Sequence, residues 1–159
     1  MRRLLWMTIL MLAGCGQVNE DLTNKMPYNS LVGQEFRTKV ELMVYRHSRS
    51  RGLRVERPGS TFFGRTRSEI NPPFPIKLPS EHVIMGFLPP SSEFKVVKIK
   101  DEGNTGMHFI NTYVEIIKSP DSQWVGKVTH ISSLATYDRQ TNPVPEFNPE
   151  YMEELPRTP

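Results

Sequence analysis

Between Glu35 and Tyr45 the chain alternates. Phe36, Thr38, Val40, Leu42 and Val44 fall on one phase, and Glu35, Arg37, Lys39, Glu41 and Met43 on the other. In an extended chain successive side chains point to opposite faces, so this pattern buries one face and wets the other. At helical spacing the same residues would mix charge and apolar surface on every side. The spacing predicts a strand over 35–45. A half-buried strand needs partners, so the rest of the chain is read as a search for them.

Several later segments qualify. Leu53 and Val55 give a short strand between turns, and His82–Leu88 is a continuous apolar run short enough for a buried strand. Phe94–Lys100 reads as a strand whose alternation slips between Phe94/Val96 and Val97/Ile99, which predicts a β-bulge. Asp101–Gly106 reads as a loop, 107–118 as a strand, Ser119–Ser122 as a turn and Gln123–Ile131 as a returning strand carrying Trp124. A helical turn at Ser132–Leu134 and a last strand at Ala135–Tyr137 follow. Six prolines between 71 and 90 predict extended, irregular chain, because proline fixes φ and donates no amide hydrogen bond. Residues 139–159 hold five prolines and read as an irregular Pro/Glu-rich tail. Within it Asn148-Pro149-Glu150 looks like the start of a short helix.

The amino terminus is of a different kind. Arg2 and Arg3 precede a short apolar run from Leu4 to Ala13, and Leu12-Ala13-Gly14-Cys15 ends on the one cysteine of the 159 residues. The run is too short for the roughly 17–25 apolar residues that span a bilayer. This order of charge, apolar core, small residues and cysteine resembles a bacterial lipoprotein signal peptide with its lipobox. The resemblance implies a signal helix over 1–14, cleavage before Cys15, and a lipid anchor on Cys15. It places the protein in the cell envelope, on the periplasmic face of the outer membrane, since Gly16 rather than Asp follows the cysteine. Residues 15–33, polar and broken by Pro27, read as a flexible tether. Cleavage would leave 145 residues and lower the formal charge from +3 to about +1. Global basicity is therefore no argument for nucleic acid, and no nucleic-acid partner is expected.

A second resemblance covers 83–137. Leu88-Pro89-Pro90-Ser91 runs into Phe94-Lys95-Val96-Val97. Trp124-Val125-Gly126-Lys127-Val128 and Ile131-Ser132-Ser133-Leu134 follow. Together these resemble a bacterial SH3-like domain. The resemblance implies an all-β fold, a small, partly open SH3-like barrel over 34–138 completed by the 35–45 strand. The basic, proline-rich segment 46–78 would be a long insertion in it.

No catalytic motif is present. There is no nucleophile elbow and no phosphate-binding glycine loop, and the single cysteine is taken by the lipobox. His47, His82, His108 and His130 lack metal-ligand spacing and read as surface or satisfied strand residues. The acid pairs Asp101-Glu102 and Glu153-Glu154 read as solvated. The expectation is a non-enzymatic binding or structural module with no cofactor and no metal.

The leading binding candidate is the run of seven arginines Arg46, Arg49, Arg51, Arg54, Arg57, Arg65 and Arg67, with one acid, Glu56, among them. Arginine forms forked hydrogen bonds to phosphate and carboxylate. The partners expected are an envelope protein or an anionic glycan or lipid. The competing reading is a solvated loop whose charge blocks edge pairing. An alternative function is peptidoglycan or glycan binding through aromatics such as Trp124 and Tyr113.

Overall fold

A computed structural model describes residues 17–47, 52–57, 69–70, 72–104, 107–138 and 142–156. The expected signal helix and Cys15 lie outside these residues. The described chain is all-β, and its helical pieces are single 3-10 turns. In chain order the strands are β1 (Gln17–Asp21), β2 (Glu35–Thr38), β3 (Leu42–His47), β4 (Leu53–Glu56), β5 (Ile76–Lys77) and β6 (His82–Leu88). They continue with β7 (Glu93–Asn104), β8 (Met107–Lys118), β9 (Val128–His130), β10 (Ala135–Asp138), β11 (Asn142–Phe147) and β12 (Met152–Glu154). Ten form one sheet in the order β12-β2-β7-β8-β9-β4-β3-β6-β5, with β1 also on β7, and the sheet curls into a half-barrel. The remaining pair is β10-β11. All pairs are antiparallel except β4 with β9.

The long β7–β8 hairpin is the backbone of this sheet. The predicted bulge is present: the register slips between Val96 and Lys98. One extra residue there switches the inward phase, so Phe94, Val96 and then Ile99 are all buried. The expected loop at 101–106 is instead mostly strand, because β7 continues to Asn104 and β8 starts at Met107.

The 35–45 segment is two strands. Phe36, Thr38, Leu42 and Val44 are all buried, as the alternation requires. Yet β2 pairs with β7 and β12, whereas β3 pairs with β4 and β6. The break at 39–41 is a barrel corner. The amide of Lys39 donates to the carbonyl of Tyr151, and the amide of Thr38 to that of Ser92. The pattern encoded an inner face, and the chain keeps that face while changing neighbours.

The expected tether is also structured from residue 17 onward. β1 pairs with β7 from Gln17↔Asn104 to Asp21↔Lys100. Leu22 and Leu31 are buried in the core, and the Leu22 amide donates to Ile99 at 2.9 Å. Backbone pairing orders a strand whose side chains are polar, and two leucines plug its end. The tail docks as well. β12 pairs with β2, Met152 is buried, and the Phe147 ring meets Phe36 edge-on at 4.3 Å. Arg37 joins Glu93 at 2.9 Å and Glu153 at 3.3 Å, tying the tail to the hairpin. The expected helix at 148–155 is a single turn held by Asn148, after which the chain extends. One turn is marginal alone, and pairing with β2 is the better use of the backbone.

Trp124 departs from its expected strand position. It ends a 3-10 turn at Ser122–Trp124, is 3% exposed, and its indole N–H donates to the Phe87 carbonyl at 3.0 Å. Gly86 lies beneath it at φ +145°, and a Cβ there would stand 3.0 Å from the indole. A second apolar cluster, Met43, Tyr45, Ile70, Leu78 and Ile84, covers the other face of β3 and β6. The proline-rich segment 72–78 adds β5 to the edge of the sheet beside β6 and packs Phe74 and Ile76 on this cluster.

Trp124→Ala should cost about 3–5 kcal/mol, read as a lower urea midpoint. Met152→Ala should cost about 2–5 kcal/mol if the tail belongs to the fold. A midpoint within error of wild type would show that the tail's docking contributes nothing.

Candidate functional site

The arginine run divides as it meets the sheet. Tyr45 pairs with Arg54 across β3 and β4, so these two share a face and Arg46 takes the other. The Arg46 Nε is buried with no hydrogen-bond partner among the described residues. Arg57 follows β4 and is exposed, its amide donating to Glu56 Oε1. Arg49, Arg51, Arg65 and Arg67 lie outside the described residues. The three described arginines do not form one patch, because period two sends neighbours apart.

Arg54 has defined company. Register places Arg54 beside His130, His130 beside Tyr113, and Tyr113 beside Lys98, one row across β4, β9, β8 and β7 on the outer face. Next to this row lie Asn111 and Glu102, and the groups are linked. Asn111 Nδ2 donates to Glu102 Oε2 at 2.5 Å, Tyr113 OH donates to the same oxygen at 3.0 Å, and Lys100 Nζ stands 3.3 Å from Glu102 Oε1. His130 Nε2 is 2.8 Å from Asn111 Oδ1. The Asn111 amide nitrogen is engaged by Glu102, so its oxygen accepts and the imidazole donates from Nε2. The neutral ring therefore keeps Nδ1 as its acceptor.

Three of these groups, His130, Tyr113 and Glu102, are shifted away from neutral pH. Burial lowers His130 to about 4, helped by the positive charge of Arg54 and opposed by Glu102. Burial, with the adjacent Glu102 carboxylate, raises Tyr113 to about 12. Burial would raise Glu102, but hydrogen bonds from Asn111, Tyr113 and Lys100 outweigh it and hold the carboxyl below its usual range.

The row opens into a cleft of about 570 Å³ beyond the end of β9. Arg54, Glu102, Phe109, Asn111, His130, Ser133 and Tyr137 line it. Tyr137 closes one side: its hydroxyl accepts from the Ile110 amide at 3.1 Å and donates to the His108 carbonyl at 3.3 Å. A second cleft, of about 590 Å³, lies between β2 and the tail and is walled by Phe36, Val144, Phe147 and Met152. Convergent polar side chains with displaced pKa values mark the first cleft as the candidate site.

Of the binding residues singled out from sequence, Arg54 and Tyr113 enter this site. Trp124 is a core residue, so no ligand can stack on it. Glu102 and His130 read from sequence as a solvated acid and an ordinary strand histidine, and Asn111 carries no signal there. Carrying the β7 alternation on through Asn104 would have put Glu102 on the face of Lys100. Among the described residues no three metal-ligating side chains converge. His108 instead pairs with Asp101 at 3.2 Å, and His47 with Glu81 at 3.4 Å. Comparison with protein families, characterised proteins and solved structures gives no match.

The depressed His130 value has a pH consequence. The unfolded chain binds a proton near 6.5 and the folded chain only near 4. Stability from this group is complete above 6.5 and declines as pH falls from 6.5 towards 4. The urea midpoint of the wild type should drop over that window, and His130→Gln should flatten the drop. An equal drop in the variant would show that His130 is not its source.

Proposed function

We propose that the chain is a lipid-anchored bacterial envelope protein. In this reading it is held by Cys15 at the periplasmic face of the outer membrane. It binds an anionic envelope component, phosphate- or carboxylate-bearing, in the cleft beside Arg54. The observation that carries this reading is the row of Arg54, His130 and Tyr113 at the mouth of that cleft. A guanidinium there supplies a forked, permanently charged donor. Neutral His130 and the Asn111 amide add polar contacts without opposing charge. Glu102 is the one anion of the cluster, and three hydrogen-bond donors already hold it.

The cluster suits binding better than chemistry. A general acid or base works best with a pKa near the operating pH. His130 lies well below neutrality, Tyr113 well above it, and Glu102 below the ordinary carboxylate range. Each keeps one protonation state across the physiological range. The reading is therefore a non-enzymatic module.

We assign the barrel to the SH3-like type on three supports: the long β7–β8 hairpin, the 3-10 turn at Ser132–Leu134, and the short β10 strand after it. Two features extend that pattern. β1 and β12 add strands at the ends of the sheet path, and β4 joins β9 in parallel. The glycan-binding alternative has less to rest on. Trp124 is enclosed, and the Tyr113 hydroxyl is engaged by Glu102.

Two experiments test the proposal. Capture of envelope components from a detergent extract should weaken about 10-fold for Arg54→Ser, the loss of one charge-assisted hydrogen bond. Arg57→Ser should capture as wild type does. The difference should shrink at high salt. An unchanged catch with Arg54→Ser removes the binding claim. Separately, Cys15→Ser should leave the membrane fraction, and retention there would end the lipoprotein reading.

A further inference from the structure

The order in β1 leaves almost no slack between the anchor and the barrel. Gln17 pairs with Asn104 at the very end of the β7–β8 hairpin. Cys15 is two residues earlier, so its Cα lies within about 7 Å of that of Gln17. A lipid on Cys15 therefore brings the hairpin end down to the bilayer surface, where a flexible tether would have held the domain away.

That end of the hairpin is apolar. Met107 is 59% exposed and Phe109 54% exposed, and period two puts both on one face of β8. Further along the same face stand Asn111 and Tyr113, which are polar. The change from apolar to polar thus runs away from the anchor. Met107 and Phe109 are about 7 Å apart along the strand, comparable to the depth of about 5–10 Å at which apolar side chains rest in a membrane interface. The terminal register rows carry no acid, lysine or arginine. They are Gln17↔Asn104, Val18↔Gly103, Asn104↔Met107 and Gly103↔His108. The first acids, Glu102, Asp101 and Glu20, are engaged by Asn111, His108 and Lys25 respectively. The next row pairs Phe109 with Glu102, a carboxylate held by Asn111, Tyr113 and Lys100 rather than left to face the lipid alone.

We propose that this hairpin end is a membrane-contacting edge, with Met107 and Phe109 seated in the interface of the bilayer that holds the Cys15 lipid. The proposal rests on the lipoprotein reading above. It adds a second, orienting attachment to the first. The barrel then stands with β7 and β8 rising from the membrane and the Arg54 cleft near its surface, since Phe109 lines that cleft.

The test uses the full-length, lipidated protein. Cys15 is the only cysteine, and acylation occupies its sulfur, so a Met107→Cys variant offers one thiol for an environment-sensitive fluorophore. A Val125→Cys variant is the control. Val125 is 46% exposed and lies at the other end of β8, where the Gly126 amide donates to the Ile116 carbonyl. Both are reconstituted into phosphatidylethanolamine/phosphatidylglycerol vesicles carrying a nitroxide-labelled lipid. The expected result is blue-shifted emission and several-fold quenching at position 107, with water-like, unquenched emission at 125. Vesicle-bound protein whose label at 107 matches that at 125 overturns the proposal and leaves the anchor standing. Protein that fails to float with the vesicles overturns the anchor and the proposal together.

Discussion

The slip between Val96 and Lys98 in β7 is the constraint on which the sheet depends. Without it Phe94 and Ile99 would face opposite sides, and a twelve-residue strand would wet part of its core. With it the whole length of β7 presents an inner face, and β8 pairs along it from Lys118 to Met107. That length gives one long edge to be shared. β2 takes the part near Phe94 and β1 the part from Lys100 to Asn104. The other side of β8 receives β9 only near Tyr113, and what β9 leaves uncovered becomes the cleft.

The outer face of the half-barrel is divided by what covers it. Over β3 and β6 the proline-rich segment lays Phe74 and Ile76 on Met43, Tyr45 and Ile84, making a second small core. Over β4, β9, β8 and β7 no such cover is described, and the row from Arg54 to Lys98 uses polar linkage instead. Glu102 can be half-buried as a carboxylate because three donors converge on it. The neutral state of His130 follows from the same crowding together with Arg54. The hydrogen bonds that settle the protonation states also fix the side chains that line the cleft.

Legibility differed by kind of interaction. Strand existence was readable wherever apolar residues alternated or ran together, and the bulge was readable from a phase slip in seven residues. Segments lacking apolar side chains were misjudged. β1, with the sequence Gln-Val-Asn-Glu-Asp, is ordered by backbone pairing, which composition does not encode. β12 has only Met152 to bury, and a single methionine gives no period. Trp124 carried a sequence signature of a β hairpin but serves the core. The site was mostly hidden for a related reason. Arg54, Glu102, Asn111 and His130 come from four strands, and only register makes them neighbours.

By itself the sequence determined that the protein is β-rich, which residues of 35–45 face inward, and where β7 changes phase. These follow from side-chain alternation, a local property of the extended chain. Only the tertiary structure decided that residues 17–33 and the tail belong to the barrel. It also decided that Arg46 and Arg54 separate onto two faces, and that Arg54 joins a histidine and a tyrosine at a cleft. Those outcomes depend on which strand edges meet, and edge pairing is made by backbone groups that every residue other than proline carries alike.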